Sequence, residues 1–136
     1  MLKSISVSIV LIAICLTGTA FVQAYSLPKS IEKGKEVYTT YCQNCHMADG
    51  KGTSGVFPPL AKSDYLKKPV KLMIDNILKG QTGEVTVNGV KYNGQMLPLN
   101  YLTDEQVADV LNYVYNSWGN KSATAVTPAQ VKKARP

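Results

Sequence analysis

Five consecutive residues in this chain of 136 limit how it can fold, namely Cys42-Gln43-Asn44-Cys45-His46. His46 is the single histidine of the sequence, and the third cysteine, Cys15, lies near the amino terminus. Two thiols and an imidazole this close together indicate a disulfide, a metal site or a covalently held cofactor. The rest of the chain has to fold around this disulfide, metal site or cofactor.

The spacing C-x-x-C-H favours covalent attachment of haem over the alternatives. Each thiol can reach one of the two vinyl groups on a haem edge, and His46 can then bind the iron. A thioredoxin-like dithiol would open a helix after a strand, whereas the residues before Cys42 have a helical pattern. A structural zinc site needs four nitrogen or sulfur ligands, which one histidine and two cysteines do not supply. A plain structural disulfide between Cys42 and Cys45 stays open as an alternative.

Residues 1–24 have the features of a secretory signal peptide. Lys3 precedes an apolar run over residues 5–14, which is too short to span a bilayer stably. The small-residue stretch that ends at Ala24 suits cleavage before Tyr25. We therefore expect an exported protein that is located in the periplasm.

The same leader contains Cys15, preceded by Ile14 where a lipid-attachment motif has a small residue, so we expect no lipid anchor. Removing 24 of 136 residues leaves 112, which fits one compact domain with a single core. We expect this domain over residues 25–120. Residues 121–136 are polar and proline-punctuated without an apolar face, and they predict a flexible basic tail.

The periodicity of apolar residues predicts an all-α chain of three or four helices with one small hairpin. Helices are expected over residues 30–42, from Pro69 to Gly80, and after a capping box at residues 103–106, with a short helical turn near residues 63–67. Asn88-Gly89 between β-favouring residues predicts a two-residue hairpin turn. These elements make a poor apolar core for this length, which indicates that a cofactor fills the middle.

The chain resembles a class I monohaem cytochrome c over nearly all of residues 28–119. The matching positions are Gly34, Tyr38, residues 42–46, Gly50, Gly52, and residues 58–60, 92–98 and 110–113. The resemblance implies the class I cytochrome c fold around one covalent haem c, attached at Cys42 and Cys45. It also implies that the first and last helices cross closely at Gly34. Parts of the chain are similar to cytochrome c domains associated with copper nitrite reductases and membrane dehydrogenases.

The resemblance further implies a methionine as second iron ligand, opposite the histidine. Met1 leaves with the leader, Met47 is tethered on the proximal side, and Met73 lies on an apolar helical stripe typical of a core. Met96 lies in an irregular loop 50 residues after the histidine and resembles the distal methionine of the family. One departure is that Leu97 follows it, where many relatives have proline.

The segment Pro58-Pro59-Leu60 has a supporting role by the same resemblance. A ligating imidazole usually donates its other N–H to a carbonyl, which fixes the ring orientation. The resemblance implies that the Pro58 carbonyl accepts this bond from His46 and that Leu60 packs against the haem.

Iron held by both His46 and Met96 has no open position, which favours electron transfer over catalysis. We expect a periplasmic carrier of single electrons that is not itself an enzyme and is monomeric when free. A haem subunit of a fixed oxidoreductase complex, and an enzyme or gas sensor with Met96 off the iron, stay open.

The formal charge of +6, which becomes +5 without Lys3, predicts redox partners with acidic docking surfaces. The lysines near residues 62–71 are candidates for steering such a partner, and an ordinary solvated face is the alternative. Nucleic acid is not expected, because the chain is exported and its lysines are scattered. Weak contact with a membrane surface stays open.

Overall fold

The computed structural model describes residues 25–135, so the predicted signal peptide and Cys15 lie outside the described residues. This part of the chain contains five α-helices, one short 3₁₀ helix and one antiparallel two-stranded sheet. The α-helices are α1 (Leu27–Tyr41), α2 (Gln43–His46), α3 (Val70–Lys79), α4 (Asp104–Tyr115) and α5 (Pro128–Ala134). The 3₁₀ helix is Asp64–Lys67, and the strands are β1 (Val85–Val87) and β2 (Val90–Tyr92). The predicted all-α class with a small hairpin is confirmed.

Helices α1 and α4 pack closely where Gly34 faces α4. A Cβ atom at position 34 would overlap the carbonyl group of Asp109 and would lie 2.8 Å from the Cβ of Tyr113. Only a residue without a side chain permits this separation of the two backbones. The close approach expected at Gly34 is therefore present. It holds α1 against α4, and the cysteine motif continues from the end of α1.

Three aromatic rings fill the space beside this crossing. The ring of Tyr38 lies 5.4 Å from that of Tyr113 and 4.9 Å from that of Trp118, measured between centroids. The Tyr38 hydroxyl donates to the Met47 carbonyl at 2.7 Å, and burial raises the pKa of this hydroxyl. The Trp118 indole N–H donates to the Ala48 carbonyl at 3.0 Å. The cluster thus ties the chain just after the C-x-x-C-H run to both long helices.

The predicted hairpin and capping box both form. Asn88 and Gly89 connect β1 to β2 with positive φ angles of 50° and 78°, as a two-residue turn of this sequence requires. Thr103 accepts from the Gln106 backbone N–H, and the Gln106 side chain accepts from the Thr103 N–H, which starts α4. Helix α4 begins at Asp104 and ends at Tyr115.

The prediction of a flexible tail over residues 121–136 is wrong for the described residues up to 135. Val131 is fully buried, and Val126 and Ala134 join the same apolar cluster as α3 and α4. The fully buried Asn112 side chain donates to the Val126 carbonyl at 2.9 Å and accepts its N–H at 2.7 Å. The sequence lacks a continuous apolar face here, but three well-spaced apolar residues suffice because the surface they cover is itself apolar.

Within residues 25–135, no helix combines the length and the apolar character that crossing a bilayer requires.

Candidate functional site

A cavity of about 350 Å³ lies between the helices, the hairpin and the long loops. This volume is in the range of pockets that take small ligands and cofactors. Its wall includes every predicted site residue, namely Cys42, Cys45, His46, Pro58, Leu60 and Met96. The rest of the wall is mostly apolar, with α3 and α4 contributing Met73, Ile77, Val110, Leu111 and Val114. The structure therefore brings the predicted site residues together around one space.

Cys42, which directly precedes α2, and the single turn of α2 place both thiols and the imidazole on this cavity. The N–H groups of Cys45 and His46 donate to the Cys42 carbonyl at 3.2 and 3.0 Å, which closes the turn directly after α1. The two cysteines are not joined by a disulfide. Burial raises the pKa of the Cys42 thiol to about 12. Both sulfur atoms are thus available as thiols beside the cavity.

The predicted support of His46 by Pro58 is present in the structure. The His46 Nδ1 lies 3.0 Å from the Pro58 carbonyl oxygen, and because a carbonyl can only accept, Nδ1 carries the proton. Burial lowers the pKa of His46, so the neutral imidazole keeps a lone pair on Nε2. A neutral ring whose other nitrogen donates to a carbonyl is the usual form of a metal-ligating histidine.

The loop around Pro58 is itself fixed to the chain that follows the motif. Gly52 donates its N–H to the His46 carbonyl at 3.0 Å, and a Cβ at Gly52 would lie 2.7 Å from the Pro58 oxygen. Leu60 donates its N–H to the Gly50 carbonyl at 2.7 Å. The close backbone approach at Gly52 explains why a glycine stands there, and it sets the carbonyl that orients the imidazole.

Met96 reaches the cavity on a loop that is held by the end of α3. Its backbone N–H donates to the Gln81 carbonyl at 2.9 Å, and its carbonyl accepts the Gln81 N–H at 3.0 Å. The Leu99 N–H donates to the Ile77 carbonyl at 2.8 Å. Met73 is buried and also borders the cavity, whereas Met47 does not. Of the methionines that the structure describes, Met73 and Met96 therefore remain candidates for the second iron ligand.

The donor set of this cavity fits a covalently attached haem. It combines two thiols at the spacing for vinyl addition, one imidazole with a lone pair on Nε2, thioether sulfur and apolar walls. In the part of the chain that the structure describes, no group of three or more His, Cys, Asp or Glu side chains is placed to hold a metal ion.

A family model described as "Cytochrome c" matches residues 31–118. The chain belongs to the cytochrome c family. It is 36% identical to Cytochrome c-552 of Thermus thermophilus over 127 residues, which cover 88% of this chain and 85% of the relative. It is 32% identical over 117 residues to the cytochrome c subunit of Alcohol dehydrogenase (quinone) from Gluconacetobacter polyoxogenes, covering 75% of this chain and 22% of that subunit.

A third relative is the Gluconate 2-dehydrogenase cytochrome c subunit of Pantoea cypripedii, 29% identical over 130 residues, with 86% of this chain and 28% of the subunit covered. The chain therefore matches only about a quarter of each of these dehydrogenase subunits. Membership of the family confirms a class I monohaem cytochrome c with one covalently attached haem c. The family's role is electron transfer, and its members are not themselves enzymes.

Two polar residues of the carboxyl-terminal region, Asn120 and Arg135, bind loops beside the cavity and carry no mark in the sequence. The Asn120 side chain donates to the Leu60 carbonyl at 2.9 Å and accepts the Lys62 N–H at 2.9 Å, so it holds the loop that follows Pro58. Arg135 contacts the loop that follows Met96. No local pattern marks either residue, because their partners lie more than thirty positions away in the sequence.

The lysines that were considered for partner steering are exposed and do not line the cavity. Lys71 forms an ion pair with Asp75 at 2.5 Å, and Lys68 lies 3.9 Å above the centroid of the Tyr65 ring, which does border the cavity. The steering of an acidic partner stays a prediction.

Proposed function

We propose that this cytochrome c carries single electrons in the periplasm through one haem, which Cys42 and Cys45 would attach covalently and whose iron His46 and Met96 would hold. The observation that carries the proposal is the shared cavity, which is bordered by both thiols and the imidazole of residues 42–46 and, from a separate loop, by the thioether of Met96. When bound, haem c supplies reversible one-electron chemistry at its iron.

The side chains around the cavity have three tasks in this function. His46, oriented by the Pro58 carbonyl, and Met96 would both hold the iron and leave it closed to a substrate. The apolar wall, with Leu60 and Val110 among its members, would exclude water from the cofactor. Ligands that stay the same in both oxidation states keep the rearrangement on electron transfer small.

Replacing Met96 with alanine tests the axial ligand, and Met73→Leu is the matched control because Met73 borders the same cavity. We expect the ferric wild type and Met73→Leu to show the sulfur-to-iron charge-transfer band. Met96→Ala should lack this band, and its ferrous form should bind carbon monoxide. A band that persists in Met96→Ala and disappears in Met73→Leu would assign the ligand to Met73 and contradict the proposal.

We favour a free carrier over a subunit of a fixed complex. Support comes from the extent of the match, since the alignment covers 85% of Cytochrome c-552 but only 22% and 28% of the dehydrogenase subunits. Gentle purification from native cells, followed by gel filtration, should give a monomer with the haem spectrum. Constant co-purification with a dehydrogenase, reductase or oxidase would favour the subunit alternative.

The periplasmic location rests on the signal-peptide features of residues 1–24. Expression of the full chain, followed by cell fractionation and amino-terminal sequencing, should find the haem protein in the periplasm beginning at Tyr25. A cytoplasmic protein that retains its first residues would contradict this part of the proposal.

The partner is proposed to be a redox protein with an acidic docking surface, on the basis of the positive net charge. The second-order rate of electron delivery to such a partner should fall as ionic strength rises. A rate that is indifferent to salt would exclude electrostatic steering.

A further inference from the structure

The carboxyl-terminal helix α5 is anchored firmly enough to act as a support for other parts of the molecule. Val131 on α5 is fully buried, and the segment before it is bound to α4 through both hydrogen bonds between Asn112 and Val126. Thr127 and Gln130 form a capping box that starts α5. The residue that follows α5 therefore has a defined position relative to α4.

Arg135 is that residue, and its guanidinium group makes three charge-assisted hydrogen bonds. Nε donates to the Asp104 carboxylate at 2.6 Å, at the start of α4. Nη1 donates to the Asn100 carbonyl at 3.0 Å, and Nη2 donates to the Leu102 carbonyl at 2.6 Å. A planar guanidinium presents donors in a fixed fork, so these three bonds define one geometry that a lysine cannot reproduce.

Both carbonyls belong to the segment that returns from Met96 to α4, which contains no helix or strand. The beginning of this segment is bound to the end of α3 through Gln81 and Ile77. Its end is bound by Arg135. The Met96 loop is thus held at two points, one on the chain before it and one on the carboxyl terminus.

We propose that Arg135 is a positioning residue for Met96, holding the loop of residues 96–102 so that the thioether stays over the cavity. This inference rests on the proposed function, because it matters for the iron only if Met96 is the axial ligand. The bonds between Gln81 and Met96 remain when Arg135 is removed, so its loss should increase local opening of the loop and leave the rest of the fold in place. Loss of charge-assisted hydrogen bonds changes an opening equilibrium by about tenfold or more.

The test uses the haem-loaded protein with Arg135→Ala and Arg135→Lys, and Lys132→Ala as matched control. Lys132 is an exposed cation on α5, three residues before Arg135, so its variant removes one positive charge from the same part of the chain. Native-state hydrogen exchange is read at the amides of Met96, Leu99 and Leu102, which are hydrogen-bonded in the structure. The charge-transfer band of the ferric protein is followed through a denaturant titration, beside the helical circular dichroism.

Arg135→Ala should exchange these three amides about tenfold or more faster than Lys132→Ala, with amides of α1 unchanged. Its band should also disappear at lower denaturant than its helical signal, and Arg135→Lys should fall between the two variants. Equal exchange and equal band loss in Arg135→Ala and Lys132→Ala would overturn the inference. A wild type without the band would refute Met96 as ligand and the inference with it, and the exchange rates would then still report separately whether Arg135 holds the loop.

Discussion

Gly34→Ala is the change that most severely tests the packing beneath the haem motif. The new Cβ would lie 2.5 Å from the carbonyl carbon of Asp109 and 2.8 Å from the Cβ of Tyr113. Carbon atoms in contact normally stay about 3.5–4.0 Å apart. The neighbouring atoms are backbone and a Cβ, which cannot rotate aside, so α1 and α4 have to separate by about 1 Å.

The expected cost follows from two opposing effects. Overpacking a well-packed interior costs about 1–3 kcal/mol, and a rigid neighbour at position 34 places this case at the upper end. Alanine recovers about 0.5–1 kcal/mol because glycine is a poor residue for a helix interior. We therefore expect the free energy of unfolding of Gly34→Ala to be about 2 kcal/mol lower than that of the wild type, a large fraction of a total that is typically about 5–15 kcal/mol.

Guanidinium chloride unfolding of the haem-loaded protein, followed by far-ultraviolet circular dichroism, measures this difference. The matched control is Lys33→Ala, an exposed position on the same helix, whose effect should stay within about 0.5 kcal/mol. A Gly34→Ala protein as stable as Lys33→Ala would show that the two helices do not approach as closely as described.

Two further predictions concern the carboxyl-terminal helix α5 and the ion pairs on α3. Val131→Ala removes two buried methyl groups, each worth about 0.8 kcal/mol before the cost of the cavity is added. The free energy of unfolding should therefore fall by about 2 kcal/mol. An unchanged free energy of unfolding would mean that α5 does not pack against the core. Hydrogen bonds from Lys71 and then Lys79 lower the pKa of Asp75 in the folded state. The stability that Asp75 contributes is therefore present above its unfolded pKa and is lost as the pH falls below about 4. Asp75→Asn should reduce the loss of unfolding free energy between neutral and acidic pH. An equal loss in the variant and the wild type would refute the pairing of Asp75 with Lys71 and Lys79.

Sequence reading succeeded where the determining interactions are local. The turn at Asn88-Gly89 depends on two residues that tolerate positive φ, and the start of α4 depends on Thr103 and Gln106, three positions apart. The motif at residues 42–46 likewise carries its chemistry in its own spacing. Each of these could be recognised without knowledge of the rest of the chain.

The carboxyl terminus was misread because its order comes from distant partners. The Asn112 amide that fixes Val126 is fourteen residues away, and the carbonyls bound by Arg135 are more than thirty away. A local signal did exist, since Thr127 and Gln130 have the spacing of a capping box. A capping box does not show that a helix has a surface to pack on, and only the folded chain shows that Val131 covers one.

Covalent attachment of haem at Cys42 and Cys45 is tested by the mass of the tryptic fragment of residues 36–51, which contains both cysteines and His46. The protein is produced with a haem-attachment system and digested without a reductant. This fragment should carry the mass of one haem, with both cysteines consumed. A fragment with the mass of the bare peptide, or of the peptide with a Cys42–Cys45 disulfide, would contradict covalent attachment.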